Sequence, residues 1–151
     1  MILLDVNVLV HAHREDSIHH TDIRQWLEGR LARHSGVAVS ELVLSGCLRV
    51  ITHHKIFEVP TPPLDGISFI EDFRSRESVH ILTPGPRHWM IFSDLCRKLQ
   101  LRGNFIPDAY HAALALEIGC QWATLDRGFS RFPDLQCYNP LDSTAKEDPK
   151  L

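Results

Sequence analysis

MILLDVNVLV, residues 1–10, begins the chain and carries the first indication of its fold. Ile2, Leu3 and Leu4 form an apolar run that is too short for a buried helix but suits a strand buried on both faces. Asp5 follows directly, so a carboxylate stands at the carboxyl end of the predicted strand. Because ligands bind at that edge of open α/β sheets, the stretch predicts an acidic residue at a binding edge.

Strand and helix patterns alternate along the rest of the chain. Further strands are predicted at 37–39, 79–82, 122–124 and 135–138. The helices predicted between them cover VNVLVHAH after Asp5, a segment capped by Thr21, a segment beginning at Ser40-Glu41, one after Gly66, one around Trp89, and 108–118 ending before Gly119. This alternation predicts an α/β fold, an α/β/α sandwich around a central, mostly parallel sheet. We expect one domain over residues 1–151, with a polar, frayed tail from about residue 141.

Composition narrows the functional classes. The formal net charge is −3, so overall charge does not indicate a nucleic-acid binder, and a site for a polyanion needs local basic groups or bound cations. The cysteines form no CxxC pair, and no stretch reads as a signal peptide or has the length of a membrane span; a cytoplasmic protein with reduced thiols is expected. The histidine pairs at 11/13, 19/20 and 53/54 lack a complete metal-ligand pattern and are interpreted as solvated side chains.

Four acidic residues occupy similar places in the predicted fold. Asp5 and Asp126 follow strands, whereas Glu41 and Asp108 begin helices. Each has a simpler interpretation: Glu41 and Asp108 suit a helix dipole as caps or surface charges, and Asp126 lies in a good turn sequence. Gathered at one edge, the four carboxylates would raise one another's pKa values, and a divalent cation such as Mg²⁺ or Mn²⁺ would relieve the repulsion.

Four segments carry a family resemblance. MILLDVNVLV, SELVLSG around Glu41, IPDAYHAALALEIG around Asp108 and WATLDRGFSRFP around Asp126 resemble the PIN-domain family, and in particular the VapC ribonuclease toxins of bacterial toxin–antitoxin pairs. The resemblance covers nearly the whole chain. It implies a metal-dependent endoribonuclease in which Asp5, Glu41, Asp108 and Asp126 hold Mg²⁺ or Mn²⁺, with Asn7 and Thr124 supporting the site by hydrogen bonds.

The same resemblance implies partners. They are an RNA substrate, a cognate VapB-type antitoxin that blocks the site, and a second copy of the chain, with the helices around Trp26 and Trp89 as candidate dimer contacts or plain core elements. Basic residues near the acids are candidates for holding RNA phosphates, with a solvated helix face as the alternative for each: Arg97, Lys98, Arg102, Arg127 and Arg131. Residues 53–65 are less family-like and are a candidate region for substrate choice.

Alternative functions stay open at this point. One is a PIN-like module that binds RNA without cutting it, and another is a housekeeping nuclease without an antitoxin. A third is a phosphohydrolase acting on a small phosphoester, although the chain lacks the glycine-rich loop or DxD pair that such an enzyme would be expected to show.

Overall fold

Five short parallel strands form one sheet in a computed structural model that describes residues 1–142 of the chain. The strands are β1 (Ile2–Leu4), β2 (Val37–Ser40), β3 (Val79–Leu82), β4 (Gln121–Ala123) and β5 (Cys137–Tyr138), in the spatial order β3-β2-β1-β4-β5. β1 lies at the centre, where Leu3 is in register with Ala38 on one side and with Trp122 on the other. The predicted α/β class and parallel sheet are confirmed.

Within residues 1–142, six helices connect the strands. They are α1 (Val6–His13), α2 (His20–Leu31), α3 (Glu41–Ile51), α4 (Pro63–Arg74), α5 (His88–Leu99) and α6 (Phe105–Ile118), and a short 3₁₀ helix spans Arg127–Arg131. α1 packs on α2 and α3, α3 packs on α4, and α5 packs on α6. Parallel crossovers are right-handed, so the connections that lead from β1 to β3 place α1 to α4 on one face, and the return to β4 places α5 and α6 on the other.

The strand order reverses between β1 and β4, which are neighbours in the sheet but distant in the chain. The chain moves outward from β1 through β2 to β3 and then returns to the other side of β1. The Asp5 amide donates to the Ala123 carbonyl at 2.9 Å, so the carboxyl ends of β1 and β4 are held side by side. Helices leave toward opposite faces at such a reversal, and the crevice that results is where open α/β sheets bind ligands.

The core explains why these segments fold in this way. Leu3 and Leu4 of β1 and Trp122 of β4 are fully buried, as expected for central strands covered on both faces. α6 presents buried alanines to the sheet, and these small side chains allow the helix to approach closely: Ala109, Ala112, Ala113 and Ala115. Gly119 ends α6 in the left-handed conformation at φ 75°, as the sequence predicted.

Several element boundaries differ from the prediction. α2 begins at His20, after an N-cap position at His19 that makes no side-chain cap, so the predicted Thr21 cap is wrong. α6 begins at Phe105, three residues earlier than predicted, and α4 begins before Gly66. Apart from its first two residues, the expected polar tail lies outside the described part of the chain. Within residues 1–142, no helix is both long and apolar enough to cross a membrane.

Candidate active site

Asp5 directly follows β1 and lies beside the carboxyl end of β4. Its side chain is buried, with only 6% of the residue exposed. Oδ1 accepts the Val6 amide at 2.6 Å and so caps α1, while Oδ2 accepts the Asn7 amide group at 2.9 Å and the Thr124 hydroxyl at 2.6 Å. Three donors from two chain segments therefore fix the direction of this carboxylate before any ligand arrives.

Thr124 and Asn7 connect the two strand ends. The Thr124 hydroxyl donates to Asp5 and accepts from the Asn7 side chain and from the Asp126 amide, both at 3.0 Å. Asn7 also accepts the Leu125 amide at 3.2 Å. Because Thr124 is itself buried, this network holds the segment after β4 against the segment after β1.

Asp108 and Asp126 act electrostatically on Asp5. Burial raises the pKa of Asp5 to about 6, the hydrogen bonds from Thr124 and Val6 oppose the rise, and the charges of Asp108 and Asp126 add to it. The pKa of Asp108 is also raised, first by its partial burial and then by Asp126, whereas Arg131 lowers it. Three of the four acids singled out in the sequence are therefore close enough to affect one another.

Asp126 begins the 3₁₀ helix as its N-cap. Its Oδ1 accepts the Gly128 amide at 2.7 Å, which makes the turn expected from the Leu-Asp-Arg-Gly sequence, and the side chain is exposed at the edge of the crevice. Asp126 can therefore both cap this turn and contribute to the acidic site, because its charge acts on Asp108.

Glu41 is held differently from the other three. It is the first residue of α3 and follows β2 at the same carboxyl edge, after the Ser40 N-cap whose hydroxyl accepts the Val43 amide at 3.2 Å. Its exposed carboxylate pairs with the Arg74 guanidinium of α4 at 2.6 Å. Within residues 1–142, no three His, Cys, Asp or Glu side chains are already arranged around a point that could hold a metal ion.

Three of the five candidate basic residues line hollows near the acids. Arg127 lines a hollow of about 420 Å³ together with Thr124 and Asp126. Arg131 lines another, of about 490 Å³, in which Arg102 also lies.

The other two candidates lie at the end of α5. Arg97 and Lys98 are exposed in its last turn, where Arg97 donates to Asp94 at 2.7 Å. For Arg97, this exposed and ion-paired position agrees with the alternative interpretation, a solvated residue on a helix face.

The N-terminal histidine pairs are less solvated than expected. His11 contacts Ser17, His20 bonds the His11 carbonyl, and His13 bonds Thr61 at 3.0 Å. Partial burial lowers the pKa of both His11 and His13. These rings hold the end of α1 against α2 and against the loops that contain Ser17 and Thr61, contacts that the local sequence pattern did not reveal.

Three residues around the acids were not singled out in the sequence. Arg74 pairs with Glu41, Phe105 lies under the Arg131 guanidinium, and the Gly128 amide donates to Asp126. Only Gly128 had a local signal, since glycine after Asp-Arg is typical of a turn. The other two contacts join residues more than 25 positions apart and follow from the tertiary fold alone.

The comparisons with known protein families, sequences and structures agree with one another. The PIN domain model matches residues 2–135. The chain is 40% identical over 142 residues to VapC ribonuclease Mb2897 of Mycobacterium bovis, covering 94% of this chain and 97% of that protein. It is 38% identical over 140 residues to Ribonuclease VapC25 of Mycobacterium tuberculosis, covering 93% and 99%. VapBC2 from Rickettsia felis, solved bound to a DNA fragment from its promoter, shares the fold with a TM-score of 0.71 at 23% identity, covering 92% and 98%.

Proposed function

The chain belongs to the PIN-domain family, and on this premise we propose that it is an endoribonuclease, the toxin of a VapBC-type toxin–antitoxin pair. The observation that carries the catalytic part is the buried Asp5 carboxylate at the strand reversal, with Asp108 and Asp126 in electrostatic reach. A structural cap on α1 would not need two further acids beside it. The ribonuclease relatives at 38–40% identity support RNA as the substrate.

The donor set suits a hard divalent cation. Carboxylates that raise one another's pKa are stabilised by a cation, and all-oxygen ligands favour Mg²⁺ or Mn²⁺. We infer that Asp5, Asp108 and Asp126 would hold the ion, and that Glu41 would join them after release from Arg74. Bound there, the ion would lower the pKa of a water molecule and offset charge on the phosphate under attack.

The chain's own side chains have separate tasks in this proposal. Asp5 is kept in one direction by the Thr124 and Asn7 donors, so it serves to position its ligand rather than to move. Asp108 is half-buried and its pKa is raised, which makes it the better candidate to accept a proton during the reaction. Arg127 and Arg131 border the acids and would hold the RNA backbone on either side of Asp126.

The proposed partners follow from the same premise. A VapB-type antitoxin would block access to the acidic edge. For a homodimer, α5 is the better contact of the two predicted helices, because Trp89 and Met90 are 68% and 57% exposed. Trp26 is half-buried and donates to the Tyr138 hydroxyl at 3.2 Å, so it is occupied within the chain. Light scattering of wild type and Trp89→Ser would test the dimer contact.

Cleavage of total bacterial RNA tests the catalytic proposal. We expect purified protein to cut RNA with Mg²⁺ or Mn²⁺, to be inactive in EDTA, and to lose activity in Asp5→Asn and Asp108→Asn. Asp72→Asn, at an exposed position on α4, is the matched control and should cut like wild type. Cleavage that persists in Asp5→Asn would contradict the assignment, and RNA binding without any cleavage would favour a non-catalytic RNA-binding module.

A further inference from the structure

A hollow next to the acids combines apolar and cationic walls. It has a volume of about 490 Å³ and lies between the end of α5, the start of α6 and the 3₁₀ helix. Leu99, Leu101 and Phe105 supply apolar surface, and Arg102 and Arg131 supply positive charge. Its lining within the described residues contains no acidic side chain. A hollow of this composition suits a ligand that carries both a flat apolar group and a negative charge.

Arg131 and Phe105 form a stacked pair inside it. The guanidinium carbon lies 3.8 Å from the centroid of the Phe105 ring, and the Arg131 Nε donates to the Gly128 carbonyl at 2.7 Å. Phe105 is 43% exposed, so the ring contributes to the open wall rather than to the core. The bond to Gly128 and the ring below keep the guanidinium plane in one orientation, with its Nη groups available for a further contact.

Gly128 links this pair to the acids. A Cβ atom at Gly128 would lie 2.9 Å from Asp126 Oδ1 and 3.2 Å from an Arg131 Nη atom, so the carboxylate and the guanidinium border the same small space. Arg131 also acts on the charge of Asp108. Gly128, which lines the hollow, is therefore the point where the hollow adjoins the acidic edge.

We propose that this hollow is the subsite for the nucleotide next to the scissile phosphodiester, with its base stacked on the Arg131 guanidinium and its phosphate held by Arg102 and Arg131. The inference rests on the proposed function, since it names where one nucleotide of the RNA lies. Unpaired bases stack on aromatic rings and on arginine planes, and guanidinium groups bind phosphate through paired donors. Charge complementarity favours RNA over an apolar protein segment, which would leave two arginines without anions.

Equilibrium binding of single-stranded RNA to the full chain tests the subsite without relying on cleavage. The probes are fluorescein-labelled rA12 and a twelve-residue abasic ribose-phosphate strand, titrated in EDTA and followed by anisotropy, with gels to check that the strands stay intact. We expect Phe105→Leu and Arg131→Lys to weaken rA12 binding roughly 5- to 100-fold, the range for loss of one stacked base. Abasic binding should stay close to wild type in Phe105→Leu and should fall less than rA12 binding in Arg131→Lys, which keeps the charge but loses the paired phosphate donors. Phe105→Tyr keeps the ring and should bind rA12 like wild type.

A salt titration separates stacking from charge. Arg131→Gln should reduce the slope of log K against log salt by about 1, whereas Arg131→Lys keeps the charge and should leave the slope unchanged. Unchanged rA12 affinity in Phe105→Leu and Arg131→Lys, or equal losses on rA12 and the abasic strand, would overturn the subsite. If RNA affinity is unchanged while self-association is lost, the hollow is a protein contact instead.

The two proposals can fail separately. Total-RNA cleavage with Mn²⁺, run on the same preparations, reports the proposed function. Wild type that binds rA12 with the expected variant pattern but never cuts RNA would refute the nuclease and keep the subsite. Wild type that cuts RNA while the Phe105 and Arg131 variants bind rA12 normally would refute the subsite and keep the nuclease.

Discussion

Replacing Asp5 by asparagine should stabilise the metal-free protein at neutral pH, although it disrupts part of the hydrogen bonding to a carboxylate that accepts from three donors. The charged form of Asp5 is disfavoured in the folded state because burial, and then the charges of Asp108 and Asp126, raise its pKa to about 6 from an ordinary value of 3.8. In the unfolded chain the same group is ionised above pH 4 without this penalty. Asp5→Asn removes the charge and changes the side-chain volume little.

The magnitude follows from the pKa difference. One pKa unit corresponds to about 1.4 kcal/mol, so the buried charge costs about 3 kcal/mol once the pH is well above 6. Because the folded pKa is raised, the folded state holds the proton more tightly, and this group's contribution to stability falls as the pH rises from about 4 to 6. The linkage between protonation and folding means that ionisation of Asp5 destabilises the folded state by about 1.6 kcal/mol at pH 5 and about 3 kcal/mol at pH 7.5. Asparagine keeps only part of the hydrogen bonding, a loss of about 1 kcal/mol that is independent of pH.

Urea unfolding in EDTA at pH 5 and pH 7.5, followed by far-UV circular dichroism, measures the free energy of unfolding of wild type and of Asp5→Asn. The free energy of unfolding of Asp5→Asn minus that of wild type should be more positive at pH 7.5 than at pH 5 by about 1.4 kcal/mol. The difference between the two proteins is the quantity to use, because His111 opposes Asp5. Burial, and then His88, lowers the pKa of His111 to about 4, so both proteins lose stability as the pH falls below about 6.5.

One result would refute this reasoning. If the difference between the two proteins is the same at both pH values, Asp5 is not a buried carboxylate with a raised pKa, and its three donors outweigh burial. Asp72→Asn is the matched control, since an exposed carboxylate should change stability little at either pH.

Three further outcomes follow from the structure. Gly36→Ala should lower the free energy of unfolding by more than about 2 kcal/mol in urea titrations, because its backbone has φ +51° and a Cβ atom would lie 2.0 Å from a backbone oxygen. Arg74→Gln should change stability by less than about 1 kcal/mol, since its ion pair is exposed, whereas Glu41→Gln should reduce RNA cleavage while changing stability as little. Mn²⁺ at 100 times its dissociation constant should stabilise wild type by about 2.7 kcal/mol and Asp5→Asn far less, as melting curves with and without EDTA would show.

Local patterns were sufficient where a single segment determines the structure. The apolar run of β1 and the αL conformation of Gly119 both follow from neighbouring residues, and both are confirmed. The N-cap predicted at Thr21 failed because the chain enters α2 through His20, whose ring bonds the His11 carbonyl of α1. That bond is part of the packing of α1 against α2, which a local capping pattern cannot predict.

At the acidic edge, too, some features follow from local sequence and others only from tertiary packing. The approximate placement of Asp5 could be predicted, since a strand that ends in an acid locates that acid at the sheet edge. The partner of Glu41 could not, because Arg74 lies 33 residues away on another helix and resembles any solvated helix residue in the sequence. The Arg131–Phe105 stack was hidden for the same reason, and it depends on how closely α6 approaches the 3₁₀ helix.

Three of the four acids at this edge are held by different means, and this bears on how a cation would bind. Burial and the neighbouring acids favour the protonated form of Asp5, Asp126 is held by the Gly128 amide, and Glu41 is neutralised by Arg74. In the proposed site, a cation would have to compete with a proton on Asp5, with the Gly128 amide and with the Arg74 guanidinium. The exposed ion pair is the weakest competitor, worth about 1 kcal/mol or less, whereas the donors to Asp5 orient it without opposing a positive ion. In the proposed metal site, Glu41 is therefore the acid whose present contact a cation would displace most easily.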